Sequence, residues 1–122
     1  MLGRDVLIHT MDDELLVKSI ETPDETTTFD NGRLEHTAVG DMTCMVGTVE
    51  PGWLWSRDNG PAMGTDSCPL SHRVYMVAGA MTVEMDDGTR ETLTQGDVAV
   101  IPPGHDAWTE GDEQAVFLDV RL

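Results

Sequence analysis

The sequence predicts an all-β, single-domain chain, and three observations carry that expectation. Apolar residues alternate with polar ones, short candidate strands follow one another closely, and Gly, Pro, Asn and Asp punctuate them. At 122 residues, 39% of them hydrophobic, the chain suits one domain with one core. No internal repeat or linker divides it.

Residues 1–24 read as an irregular or edge segment, and residues 25–122 as the β domain. Leu15 to Ile20 suits a short strand or the end of a helix, and Pro23 breaks any helix there. Thr26 to Phe29 favours extended backbone. Asp30-Asn31-Gly32 is a tight turn signal into Arg33 to Val39. Gly40-Asp41 then leads to a strand over Met42 to Val49. Pro51-Gly52 precedes Trp53-Leu54-Trp55-Ser56, where strand spacing puts both tryptophans on one face. Arg57 to Pro69 is a long polar loop, of a length that tends to be functional or mobile. Ser71 to Ala78 is extended, with Val74, Met76 and Ala78 on one face. Gly79 turns the chain into Met81 to Met85, with Met81, Val83 and Met85 on one face. Asp86-Asp87-Gly88 makes a hairpin with Thr89 to Leu93. Gln95-Gly96-Asp97 turns into Val98 to Ile101, Pro102-Pro103-Gly104 ends that strand, and Ala115 to Leu122 forms the last.

The charge balance excludes several partners. Twenty-three acids face seven bases, a formal charge of −16, and Lys18 is the one lysine. Such a surface repels itself at low salt and is screened at molar salt. It resembles the surfaces of proteins from salt-accumulating halophiles. Without a basic patch, nucleic acid and anionic membrane are excluded as partners. No apolar run approaches the roughly 18 residues that span a bilayer. Met1 to Thr10 lacks the long apolar region of a secretory signal, so a cytoplasmic location is expected. Two cysteines make no disulfide framework. Cys44 alternates with Met42 and Val46 and reads as a buried apolar position.

One segment carries a family resemblance. Gly96, Pro102 and Gly104 stand at the spacing of the second cupin motif: glycine, five residues, proline, one residue, glycine. Gly104 supplies a backbone conformation that a β-carbon would hinder. Ser71 to Gly79 fits the strand-turn end of the first motif. The chain therefore resembles the cupin superfamily over residues 33 to 121. The segments Pro51-Gly52-Trp53-Leu54-Trp55, Gly64-Thr65-Asp66-Ser67-Cys68 and Pro102 to Trp108 resemble one subgroup of small prokaryotic cupins without a defined activity. The resemblance implies a β-barrel of the double-stranded β-helix, or jelly-roll, type.

Its metal ligands depart from the usual cupin set of three histidines and a glutamate. Ala107 holds the second-motif histidine position, with His105 two residues earlier, and His72 holds the glutamate position. Asp66 and Cys68 alone offer ligand atoms where paired histidines are expected. Cys68, His72 and His105 form a plausible set for one divalent transition metal, zinc before copper. Against that, His72 reads equally as a core histidine, His105 as a turn residue and Cys68 as an anchor for the long loop. Asp106 reads as a turn carboxylate. A ligand cavity would be lined by Trp53, Trp55, His72, Met76, His105 and Trp108, although the three tryptophans read equally as core-packing or dimer-contact residues. His9 and His36 have no partner at a ligand spacing.

Two functional readings stay open. One is a module that binds a small molecule in the barrel cavity. The other is a metal-dependent enzyme, of dioxygenase or isomerase type, using Cys68, His72 and His105. A purely structural dimer is a third. The resemblance also implies homodimers built through N-terminal edge strands, which would cover an exposed edge. Arg73 and Tyr75 are candidates for a subunit interface. Sedimentation in molar salt is expected to give a dimer mass, and a monomer alone would exclude this pairing.

Overall fold

The computed structural model describes residues 14–122. His9 and the rest of the N-terminal decapeptide lie outside them. The described residues form nine strands: β1 Glu25–Phe29, β2 Gly32–Val39, β3 Met42–Val49, β4 His72–Ala78, β5 Ala80–Met85, β6 Arg90–Thr94, β7 Val98–Ile101, β8 His105–Glu110 and β9 Ala115–Arg121. Two four-residue helices, α1 Trp55–Asp58 and α2 Gly60–Met63, interrupt the series. One sheet has the order β1-β2-β3-β9-β4-β7 and the other the order β6-β5-β8. All pairings are antiparallel. The expected double-stranded β-helix is thus built as two sheets enclosing one core.

Turn chemistry sets the hairpins. Asn31 takes a φ of 66° beside Gly32, joining β1 to β2 through the pair Phe29↔Gly32. Gly40-Asp41 closes the next hairpin at Val39↔Met42. Inward positions of the two sheets then meet: Val49, Val74, Met76, Met81, Val83, Leu93, Ile101, Ala107 and Ala115 make the buried cluster. Each fully buried aliphatic side chain of this kind contributes about 1.5–3 kcal/mol.

Three expectations are corrected. Leu15 to Ile20 forms neither strand nor helix, and Leu15 and Val17 are exposed. Trp53 to Ser56 is not a strand, because α1 begins at Trp55; the long loop folds into α1 and α2 as a strap. Cys44 is only half-buried. It pairs with Thr37 and Val120 and shares its side of the sheet with Met42 and Val46, whereas Met45 and Val49 on the opposite side are buried. Strand β8 escapes a reading by apolar alternation because two of its three buried residues, His105 and Thr109, are polar. Tyr75, on the outer side of β4, is exposed, as are Val98 and Val100 on β7. No helix among the described residues is long and apolar enough to cross a membrane.

The β4–β5 corner depends on Gly79, whose φ is 73°. A β-carbon there would run into the Gln114 carbonyl oxygen and lie 2.8 Å from the Ala115 Cα. Gly88, at φ 92°, has nothing within 4 Å of that position. Gly79→Ala is therefore expected to cost about 3 kcal/mol or more, and Gly88→Ala about 1–2 kcal/mol, in urea unfolding.

Candidate functional site

Three side chains from separate places in the chain converge at one end of the core. His72 opens β4 and faces inward, paired in register with Ile101. His105 opens β8 after the Pro102-Pro103-Gly104 turn and is buried. Cys68 ends the strap and is also buried. A short antiparallel bridge locks the last two together: the Cys68 N–H donates to the His105 carbonyl at 2.7 Å, and the Gly104 N–H donates to the Cys68 carbonyl at 2.7 Å. Gly104 reaches this geometry with a φ of 90°, which side chains disfavour, and a β-carbon would lie 2.9 Å from an Asp86 carboxylate oxygen. The sulfur and one nitrogen from each imidazole lie within 4.8 Å of one another. The two rings stand edge to face, 5.2 Å apart at 75°.

Both imidazoles are oriented from behind. His105 Nδ1 lies 2.8 Å from the Pro102 carbonyl oxygen. A carbonyl only accepts, so Nδ1 carries the proton and Nε2 holds the free lone pair when the ring is neutral. His72 Nδ1 lies 2.7 Å from Asp119 Oδ2. Asp119 is fully buried on the inner side of β9. Its Oδ1 also accepts from the Arg73 backbone N–H at 3.2 Å, and its Oδ2 from Arg121 at 3.2 Å. His72 Nε2 points at Cys68, with Sγ at 3.6 Å.

These contacts set the ionisation of the metal-free site. Burial opposes the Cys68 thiolate, but hydrogen bonds from His105, His72 and the Leu70 backbone outweigh it and bring the thiol down to about 6. Burial likewise opposes a charged His72, yet Asp119 and Cys68 lift it to about 9. Burial works against the Asp119 carboxylate as well; His72, the Arg73 N–H and Arg121 hold it below the usual range. Asp119, His72 and Cys68 thus stand in the order by which a carboxylate orients an imidazole and the imidazole ionises a thiol.

Two members of the cluster, His72 and His105, line an apolar cavity of about 90 Å³; Cys68 is not among its lining residues. Of the residues named from sequence as candidate lining, Trp53, Trp55, His72 and His105 lie along it. Phe29, Leu34, Val83 and Phe117 line it too, and were missed because inward aliphatic and aromatic positions look alike in sequence. Two expected lining residues are elsewhere. Met76 shares the inward side of His72 but lies four positions, roughly 13 Å, further along β4, where the core seals it at 0% exposure. Trp108 is on the opposite side of β8 from His105, Ala107 and Thr109. There Arg90 stacks 5.1 Å from its ring centroid, and its indole N–H donates to Glu110 at 2.9 Å.

The strap that carries Trp53, Trp55 and Cys68 is held at several points. The Trp53 indole N–H donates to Asn59 Oδ1 at 2.8 Å. Asp58, brought down to about 2 chiefly by Arg57, also accepts from Asn31 at 3.1 Å and from the Leu54 N–H at 3.2 Å. Asp106 accepts from the Ser56 N–H at 3.0 Å, which agrees with a structural role for that carboxylate. Asp119 was missed by the sequence reading. A signal existed: it is an acid at an inward position of Ala115-Val116-Phe117-Leu118-Asp119, where a buried carboxylate demands partners.

The described residues thus form a two-sheet β fold with a Cys-His-His cluster beside an apolar cavity. Residues 61–120 match the EutQ-like cupin domain family. Among solved structures, the chain is similar to a sugar phosphate isomerase of the cupin superfamily from Silicibacter pomeroyi, with a TM-score of 0.61 and 18% identity over 85% of this chain and 73% of that one. It is similar to a Klebsiella pneumoniae protein with a double-stranded β-helix domain, with a TM-score of 0.58 and 19% identity over 85% and 81%. It also resembles oxalate decarboxylase from Lactobacillus farciminis, with a TM-score of 0.57 and 22% identity over 79% of this chain but only 30% of that one. No curated protein matches the chain in sequence. Residues 61–120 thus match a cupin domain, and the described residues take the double-stranded β-helix fold of these cupin structures.

The two cysteines provide an internal check on the site. Burial, helped by the charge of Asp119, pushes the Cys44 thiol up. In metal-free protein, thiolate ultraviolet absorbance is expected to rise in two separate steps. The first, centred near pH 6, should vanish in Cys68→Ser, and the later one in Cys44→Ser.

Proposed function

We propose that the protein binds a small molecule in its apolar cavity, at a metal centre made by Cys68, His72 and His105. The observation that supports this reading is the convergence of a thiol and two imidazoles to within 4.8 Å, with both imidazoles at the cavity wall. The donor set fits zinc: one soft thiolate and two borderline imidazoles, with room left in the coordination sphere. It does not fit a hard cation, because no carboxylate joins the cluster. When bound, the ion supplies Lewis acidity to a group held in the cavity.

The chain's own residues do the rest. Asp119 accepts the His72 Nδ1 proton and the Pro102 carbonyl accepts that of His105, which leaves Nε2 of each ring as the atom to ligate an ion, His72 giving up its Nε2 proton when the ion binds. This backing of an imidazole by a carboxylate or carbonyl recurs behind metal-bound histidines. His105 bonds the same thiol as His72, and two imidazoles beside one thiolate make a donor set for an ion. Binding is favoured over acid–base turnover because, beyond His72 and His105, Asn59 is the one polar residue lining the cavity. Turnover of dioxygenase or isomerase type would use the same three side chains.

Reconstituted protein is expected to hold about one equivalent of zinc and to lose it in a His72→Ala, His105→Ala double variant. Asp119→Asn should weaken zinc affinity by about 10–100-fold while leaving the three donors in place. Less than about a tenth of an equivalent in the unmodified protein would overturn the metal-centre reading.

A further inference from the structure

The cavity's size, wall chemistry and charge together narrow what can occupy it. A single water needs about 10–15 Å³ of such space, so the cavity of about 90 Å³ has room for roughly six to nine non-hydrogen atoms. Its lining contains no Lys, Arg, Asp or Glu. The polar atoms that do line it are largely engaged: Asn59 Oδ1 accepts from Trp53, and both imidazole Nδ1 atoms are held from behind. A polyhydroxylated ligand would therefore lose its water partners without replacement, and each unpaired hydroxyl would count against binding.

Charge then selects the head group. A divalent ion with the Cys68 thiolate and two neutral imidazoles leaves one net positive charge. Behind them, the Asp119 carboxylate and the Arg121 guanidinium cancel. A monoanion neutralises the centre. A dianion would leave uncompensated negative charge against apolar walls, and a neutral ligand would leave the positive charge unmatched.

Resting on the metal-centre reading, we propose that the cavity takes a monocarboxylate with a compact apolar body. Its carboxylate is turned toward Cys68, His72 and His105, and its body packs against Trp53, Trp55 and Phe117. A phosphorylated sugar is excluded on three counts: size, hydroxyl groups and charge.

The test uses zinc-loaded protein of measured metal content in molar KCl, titrated by calorimetry and by the fluorescence of Trp53 and Trp55. The probes are isobutyrate, benzoate, oxalate and a hexose monophosphate. Isobutyrate and oxalate are of similar size and differ in charge and apolar surface. At least one monocarboxylate is expected to bind about tenfold or more tightly than oxalate, and the hexose monophosphate should not displace it. Ala107→Leu, which fills the cavity, should weaken monocarboxylate binding at least tenfold with zinc content retained. If zinc is bound but neither monocarboxylate saturates, or if oxalate or the hexose monophosphate binds as tightly, the proposal fails and the metal centre stands. If no zinc binds, the metal-centre reading fails and takes this proposal with it.

Discussion

The buried carboxylate of Asp119 is the constraint on which the site depends. It sits at 0% exposure on β9, in a protein whose other acids are mostly at the surface. Burying an isolated charge is prohibitively costly, so the surrounding structure must supply donors. It does so from three directions: the His72 ring, the Arg73 backbone and the Arg121 guanidinium. Because the Arg73 N–H belongs to β4, the carboxylate ties the β4–β9 pairing to the orientation of His72. Breaking a buried pair of this kind typically costs about 3–5 kcal/mol, since the remaining partner is left without compensation. The same bonds that keep β4 and β9 in register therefore aim the His72 Nε2 at the sulfur.

The other half of the site rests on backbone. His105 has no buried acid behind it; the Pro102 carbonyl holds its ring, and the Gly104 turn holds its main chain against Cys68. The two histidines are thus fixed by different means, one through a charged network and one through a turn. The strap between β3 and β4 completes the arrangement. Its hydrogen bonds to Asp58, Asn59 and Asp106 turn a polar loop into a wall that places two tryptophans at the cavity and a cysteine at its end. Most of the acids stay at the surface, where the charge of −16 is solvated. None lines the cavity.

The split between what could be read early and what could not follows from this. Strands, turns and the Gly96–Pro102–Gly104 spacing were legible because each is a local event: alternation and turn residues act over a few positions. Cys68, His72 and His105 were legible as candidates because they fall at motif ends, near where strands begin. Asp119 was not legible as their partner, being 47 positions from His72. Only the β4–β9 pairing sets them side by side.

The sequence by itself determined that the chain is all-β, with a cupin-like motif spacing and three candidate donors, one thiol and two imidazoles, at or shortly before strand starts. The tertiary structure alone decided which side of each strand faces the cavity and what stands behind each donor. Side-chain direction alternates with every residue, so the start of a strand and its register decide its inner face. Trp108, three residues after His105, falls on the outside of β8, while Ala107, two residues after it, faces in. Met76 keeps the right parity and still misses the cavity, because depth along β4 is set by packing between sheets and not by alternation. Local pattern could name the donors; only the pairing of strands distant in sequence could bring them together beside a cavity.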